Sequence, residues 1–334
     1  LTGPKTVEIA GKSYNGDNLI IATGSSPFIL PIEGVEREDV ITSSEILEIE
    51  SLPASIAIIG GGVIGMEFAS FFSTLGVEVH VIEMLDEIVP VLDGDIAVAL
   101  RKACKTIKFH LGARVQKVDD QGVHFSKDGE VTTIKCDLTL MSVGRRPNVV
   151  DLGLESAGLD FDNKGVRVDE GLRTNLPGVY AVGDITGTSL LAHSAYRMAD
   201  VAVKNLFGDG DKMRYHAIPS VVYTIPEAAS CGYTEADAVE QGIEAKTATL
   251  PMRANGRFLA EYGAKEPGFC KVVVDSASGR LLGAHMFGGG CSEHIFGAAA
   301  MIESELRVRD IKDIVFPHPT VSEVIQDAVW ELGH

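Results

Sequence analysis

The sequence predicts an α/β protein whose parallel-sheet domains are followed by an α+β domain. Three observations carry that prediction. An apolar run at 56–59 leads into Gly60-Gly61-Gly62-Val63-Ile64-Gly65, a helical stretch to Leu75 and a second apolar strand at 77–82. This is a strand, helix, strand unit of the length a parallel crossover needs. Short strands ending at glycines flank it, at 18–24 and at 179–182 before Gly183-Asp184. From Tyr215 onward the pattern changes to strands at 220–223, 270–274 and 281–287, followed by helices.

Taken in order, residues 6–24 read as strand material. Val7-Glu8-Ile9 alternates, Asn15-Gly16 is a turn signal, and the last strand stops at Gly24. Ser25-Ser26-Pro27 reads as the start of a linker. The unit opening near Ser55 is of Rossmann type, and Gly76 stops its helix. It continues through a helical segment at 95–105, alternating strands around Val115 and Val123, and a strand at 138–143 before Gly144-Arg145-Arg146-Pro147. After Pro177-Gly178 come the short strand at 179–182, a loop, and a helix at 193–206.

Composition narrows the function classes. With 334 residues and 45% hydrophobic content the chain can bury two to three domain cores, at roughly 150 residues each. The most apolar stretch, 56–72, contains four glycines and Glu67, so it lacks the ~20 uninterrupted apolar residues of a membrane span. A net charge of −18 argues against nucleic acid as a partner, because phosphate-backbone binding relies on clustered Lys and Arg. The first residues, Leu1-Thr2-Gly3-Pro4-Lys5, carry neither an initiating Met nor the basic and apolar regions of a secretory signal. The expectation is a chain that starts mid-protein. Cys104, Cys136, Cys231, Cys270 and Cys291 lie at least twenty residues apart, excluding CxxC redox or zinc spacing and suggesting reduced thiols of a cytoplasmic protein.

Gly60-x-Gly62-x-x-Gly65 follows a buried strand and opens a helix, the context in which such a fingerprint binds a dinucleotide. Gly60 permits the tight turn, Gly62 a close approach of the pyrophosphate, and Gly65 helix-to-strand packing, while the helix N-terminus favours negative charge. Glu83, eighteen residues past Gly65 at the end of the next strand, can accept hydrogen bonds from an adenosine ribose and would repel a 2′-phosphate. NAD is therefore expected rather than NADP. The competing readings are a glycine-rich packing turn and a solvated strand end.

Five motifs stand in order: Ile20-Ile21-Ala22-Thr23-Gly24-Ser25, the Gly60 cluster, Gly144-Arg145-Arg146-Pro147, Val179-Tyr180-Ala181-Val182-Gly183-Asp184 and His318-Pro319-Thr320-Val321-Ser322-Glu323. With them the whole chain resembles the pyridine nucleotide-disulfide oxidoreductase family, and within it the dihydrolipoamide dehydrogenases. The resemblance implies a Rossmann-like FAD-binding domain in two segments (1–32 and 149–214, the front of the domain missing), an NAD-binding domain (33–148) and an α+β dimerisation domain (215–334). It places Thr23, Gly24, Gly144, Asp184 and Ala192 among the cofactor-binding residues, with Asp184 on the ribitol of FAD and the Leu191-Ala192-His193 turn against the flavin. Glu67 would lie near the nicotinamide. Read without the family, Asp184 is an ordinary turn or cap residue and Glu67 a polar residue on an outer helix face.

His318 and Glu323 are the candidate catalytic residues. A thiolate is the nucleophile in disulfide chemistry, so something must take the thiol proton, and a His oriented by a carboxylate suits that task near neutral pH. The same segment, Thr320-Val321-Ser322-Glu323, is also a helix capping box beside Pro319. From the residues alone the box is the stronger reading; the resemblance favours the dyad. It further implies the reaction dihydrolipoamide plus NAD to lipoamide plus NADH, a homodimer in which His318 and Glu323 serve the neighbouring subunit's disulfide, and work within a 2-oxo acid dehydrogenase or glycine cleavage complex. Mercuric, glutathione and trypanothione reductases and soluble transhydrogenase are rival branches. Two departures are plain. The family's pair of cysteines four residues apart is not present in this chain, so it is expected to be inactive by itself and to hold FAD weakly, as a non-catalytic NAD-binding and dimerising module. Residues 194–199 lack an acidic pair common in dihydrolipoamide dehydrogenases, and Phe316 stands where many of them have His.

Overall fold

Ile56, Ala57 and Ile58 are fully buried, as a strand's residues are only where both faces of its sheet are covered. In the computed structural model, which describes residues 1–333, this strand, Ser55–Ile59, is the centre of a five-stranded sheet. The order is Val40–Thr42, Leu138–Met141, Ser55–Ile59, Glu78–Ile82 and Ile107–His110, every pair parallel. The helix Val63–Thr74 makes the first crossover and buries Met66, Ala69 and Phe72 in one cluster with Ile56, Ile58, Val79 and Val81. Each of these larger side chains, Ala69 excepted, contributes about 1.5–3 kcal/mol when removed from water. Gly76, at φ 84°, turns the chain back into the sheet. The opposite face is covered by an antiparallel meander, Arg114–Asp119, Gly122–Lys127 and Glu130–Ile134, whose Val123 and Phe125 pack with Ala57, Ile82 and Met141.

The C-terminal region forms an antiparallel sheet in the order Ser220–Val222, Ala228–Gly232, Leu281–Phe287, Phe269–Asp275 and Ala245–Pro251. Helices Cys291–Glu303 and Glu323–Glu331 close it, joining Ala298, Ile302, Val324 and Ala328 to Cys270, Val272, Ala284 and Met286. Residues Ile29–Val143 and His216–His334 belong to one compact unit, and Val222, Ala228 and Phe287 share the core of the parallel-sheet region.

Leu1–Phe28 and Gly144–Tyr215 form the other unit. Here Leu19–Ile21 pairs in parallel with Val179–Ala181 over a small core of Ile21, Leu154, Leu159, Val166 and Ile185. The helix Ala192–Phe207 ends at Gly208, whose φ of 91° suits a left-handed cap. One expectation is corrected. Ser25–Pro27 is not a linker but a strand, antiparallel to Arg145–Pro147. Its partner lies more than a hundred residues away, and Arg145 holds it with hydrogen bonds to both the hydroxyl and the carbonyl of Ser25. No local signal announces such a pairing.

Candidate functional site

Two of the three fingerprint glycines are required by the backbone, and the third leaves an open approach. Gly60 has φ 106°, and a Cβ there would stand 2.6 Å from Ser142 O. At Gly65 a Cβ would come within 2.0 Å of Gly60 O, so only glycine lets the helix approach the strand. Gly62 is the N-cap of helix Val63–Thr74, has no side chain to cap it, and faces open space where a Cβ would meet nothing within 4 Å. The first amide groups of that helix are therefore open to an anionic ligand.

The Glu83 side chain closes the back of the turn. It is buried, and its carboxylate accepts the Gly61 N–H at 2.6 Å and the Leu85 N–H at 2.8 Å. Each oxygen keeps a lone pair for a ribose hydroxyl. The Gly61 carbonyl in turn accepts the Val89 N–H at 2.9 Å. Glu67 is half-buried on the same helix, accepting the Tyr223 N–H at 2.9 Å, and desolvation pushes its carboxyl above the ordinary range. It is neither a free solvated residue nor a fully buried one.

His318 and Glu323 are brought together by the start of the last helix. Nδ1–H of His318 donates to Glu323 Oε1 at 2.9 Å, while Glu323 Oε2 accepts the Thr320 N–H at 2.8 Å. Thr320 Oγ1 donates to the Pro317 carbonyl instead of accepting from Glu323, and the helix begins at Glu323 with Ser322 as its N-cap and no side-chain cap, so of the expected box only the Thr320 N–H to Oε2 bond is formed. The His318 ring and the Thr320 amide thus share one carboxylate, one oxygen each. The imidazole is 81% exposed, with Glu323 at 21% beneath it. The Thr320 amide and then His318 hold Glu323 below the usual carboxylate range. A carboxyl depressed in this way contributes stability that is fully present above its unfolded pKa of about 4.3 and is lost as pH falls through the depressed folded value. Glu323→Gln should therefore melt below the parent near neutral pH, with the gap closing as pH drops under about 4. A gap unchanged over that range would show that the ionised carboxylate is not what stabilises the helix start.

In the other unit Asp184 follows Gly183 at the end of strand Val179–Ala181. Ser25 Oγ donates to Asp184 Oδ2 at 2.6 Å, and Arg145 Nε donates to Ser25 Oγ at 2.7 Å. Asn148 ties down the same turn, donating to the Thr23 carbonyl at 2.8 Å while its amide N–H reaches Gly24 O at 2.9 Å. Ala192 is exposed at the first position of its helix. Gly144 has φ 108° and is counted with this unit. The roles of Ser25 and Arg145 were not legible in the sequence. Both belong to motifs read there, but their link to Asp184 is made only by strand pairing.

The family model for pyridine nucleotide-disulphide oxidoreductases matches residues 1–199, and that for their dimerisation domain matches residues 218–329. The chain belongs to the pyridine nucleotide-disulphide oxidoreductases. Among members of this family, dihydrolipoyl dehydrogenase 3 of Pseudomonas aeruginosa is 36% identical over 323 residues, covering 94% of this chain and 69% of that protein. The dihydrolipoyl dehydrogenase of Chlamydia pneumoniae is 40% identical over 333 residues, covering 97% and 71%. The HOCl-induced flavoprotein disulfide reductase RclA from Escherichia coli superposes with a TM-score of 0.89 at 26% identity, over 99% of this chain and 77% of that one. No helix among the described residues is long and apolar enough to cross a membrane.

The five cysteines of this oxidoreductase chain are all free, and all but Cys136 are buried. Desolvation pushes Cys104 and Cys136 up to about 11 and Cys231 and Cys270 to about 12, and raises Cys291 well above its ordinary value. A thiol needs its thiolate to attack, so native labelling by a disulfide reagent at mild alkaline pH should run about a hundredfold slower than in denaturant. One cysteine reacting at the denatured rate would mark an activated thiol and contradict this assignment.

Proposed function

We propose that this chain binds NAD and supplies the acid–base pair of an FAD-dependent disulphide oxidoreductase that converts dihydrolipoamide and NAD⁺ to lipoamide, NADH and a proton. The observation that carries the reading is the exposed His318, held at Nδ1 by Glu323. With Nδ1 donating, Nε2 is the proton acceptor presented to solvent, and Glu323 stabilises the imidazolium formed when a substrate thiol gives up its proton. The flavin and nicotinamide, when bound, supply the electron-pair and hydride chemistry. The open helix N-terminus behind Gly62 suits the pyrophosphate of NAD, and Glu83 suits its adenosine ribose. Asp184, held through Oδ2 by Ser25, presents Oδ1 to a polyol such as the ribitol of FAD. The C-terminal sheet and its helices would form the homodimer interface, with Phe296 and Val315 among its exposed apolar side chains.

A second reading is favoured by the cysteines. Five buried or half-buried protonated thiols with no partner at relay spacing suit an NAD-binding and dimerising module better than a complete catalyst. NADH titration, a visible spectrum and a dihydrolipoamide-dependent NADH assay separate the two. A colourless dimer that binds NADH without turnover supports the module for this chain by itself; a yellow protein that forms NADH supports the enzyme. Failure to bind NADH at all would sink both.

A further inference from the structure

Lys271 is a cation in an unusual place. Its side chain is 7% exposed on strand Phe269–Asp275 of the C-terminal sheet, and its Nζ lies 3.0 Å from Asp93 Oδ2, 2.9 Å from Asp95 Oδ2 and 3.4 Å from Glu235 Oε2. Burial works to lower its pKa, yet the bonds to Asp95 and Asp93 prevail and keep the ammonium charged. Asp93 is 4% exposed and does double duty, because its Oδ1 caps helix Gly94–Ala103 by accepting the Asp95 N–H at 3.0 Å. A buried ion pair stabilises little over an apolar pair of the same volume, so stability alone is a weak account of it.

What Asp93 holds is the segment that returns to the glycine turn. The Leu92 N–H donates to Val89 O, and the Val89 N–H donates to Gly61 O, both at 2.9 Å. Val89 is fully buried with φ 41°, a left-handed conformation that a β-branched residue adopts only when its surroundings impose it. Glu87 and Arg101 pin the middle of the segment with two parallel bonds, at 2.7 and 2.9 Å. A continuous path therefore runs from Lys271 through Asp93, Leu92 and Val89 to the Gly61 peptide, whose other side is held by Glu83.

We propose that Lys271 is a positioning residue for the dinucleotide turn, acting from the C-terminal sheet through Asp93 and the strained Val89. The inference rests on the nucleotide-binding reading of the Gly60 turn. It makes the C-terminal domain part of the scaffold of the nucleotide site as well as a dimerisation element.

Two readouts test it on the whole chain. Lys271→Met removes the cation but keeps the stem. In the apoprotein, hydrogen exchange at the Val89 and Leu92 amides should quicken along with that of strand Phe269–Asp275, and Lys271→Arg should restore it. If exchange quickens only in the strand, the residue is merely structural and the proposal falls, whether or not the protein binds NADH. Titration with NADH well below the melting temperature should then show binding weaker by roughly 3- to 30-fold in Lys271→Met and close to parental in Lys271→Arg. Unchanged affinity in a folded Lys271→Met protein overturns the proposal. Should Lys271→Met not fold, Asp93→Asn keeps the helix cap and removes the charge of the Asp93 limb while Asp95 and Glu235 still face Lys271, and exchange and affinity changes in the same direction are expected of it. A parent that fails to bind NADH refutes the nucleotide-binding reading, while the exchange result still decides the link between Lys271 and Val89.

Discussion

His318→Ala slows dithiol oxidation at least about a hundredfold, the low end for loss of a general base, when measured in a catalytically active form of the protein. The structure lets this effect be separated from one on folding. His318 is largely exposed, so its removal leaves no cavity, and the melting temperature should change little, as for most surface substitutions within about 0.5 kcal/mol. The turn leading into the last helix is tied by the Thr320 N–H to Glu323 Oε2, which His318→Ala leaves in place. Glu323→Ala should behave differently, lowering both turnover and stability, the latter by ~1 kcal/mol as for a lost cap. Steady-state NADH formation and thermal melts of the two variants, measured side by side, check the division. Near-normal turnover in His318→Ala would leave the pair as a helix start and nothing more.

Glu83→Arg should abolish the preference for NADH over NADPH, which the parent is expected to show. The arginine brings charge complementarity to a 2′-phosphate, and the lost carboxylate removes the acceptor for a ribose hydroxyl. The structure adds a cost that the residue pattern does not reveal. Glu83 also accepts the Gly61 and Leu85 amides, so the variant leaves two amides in search of partners, at about 1–3 kcal/mol for each that stays buried. Affinity for NADH should therefore fall steeply, with NADPH gaining relative to it and not absolutely. Glu83→Gln retains an oxygen acceptor and should lie between. Fluorescence titration of all three proteins with both nucleotides gives the ratios; a parent that prefers NADPH would end the cofactor assignment.

Much of the fold and part of the site were legible because they depend on short-range rules. Apolar runs at 56–59 and 77–82 had to become buried strands. The backbone at Gly60 needs a positive φ, and Gly65 has no room for a Cβ, so the glycine turn between strand and helix could be read from spacing alone. His318 and Glu323 are five residues apart, close enough for one helix start to join them.

What only the tertiary structure decided lies between residues distant in the chain. Ser25–Pro27 looked like a linker because its strand partner is Arg145–Pro147, and the Arg145, Ser25 and Asp184 link exists only once that pairing has formed. Each Glu323 oxygen has its own partner, the His318 ring for one and the Thr320 amide for the other, a matter of side-chain direction that spacing cannot express. Lys271 and Asp93 are 178 residues apart, and nothing local in the sequence joins them. Their burial together follows from packing the C-terminal sheet against the parallel-sheet region, since the energy of a charge depends on which groups surround it and not on its neighbours in sequence.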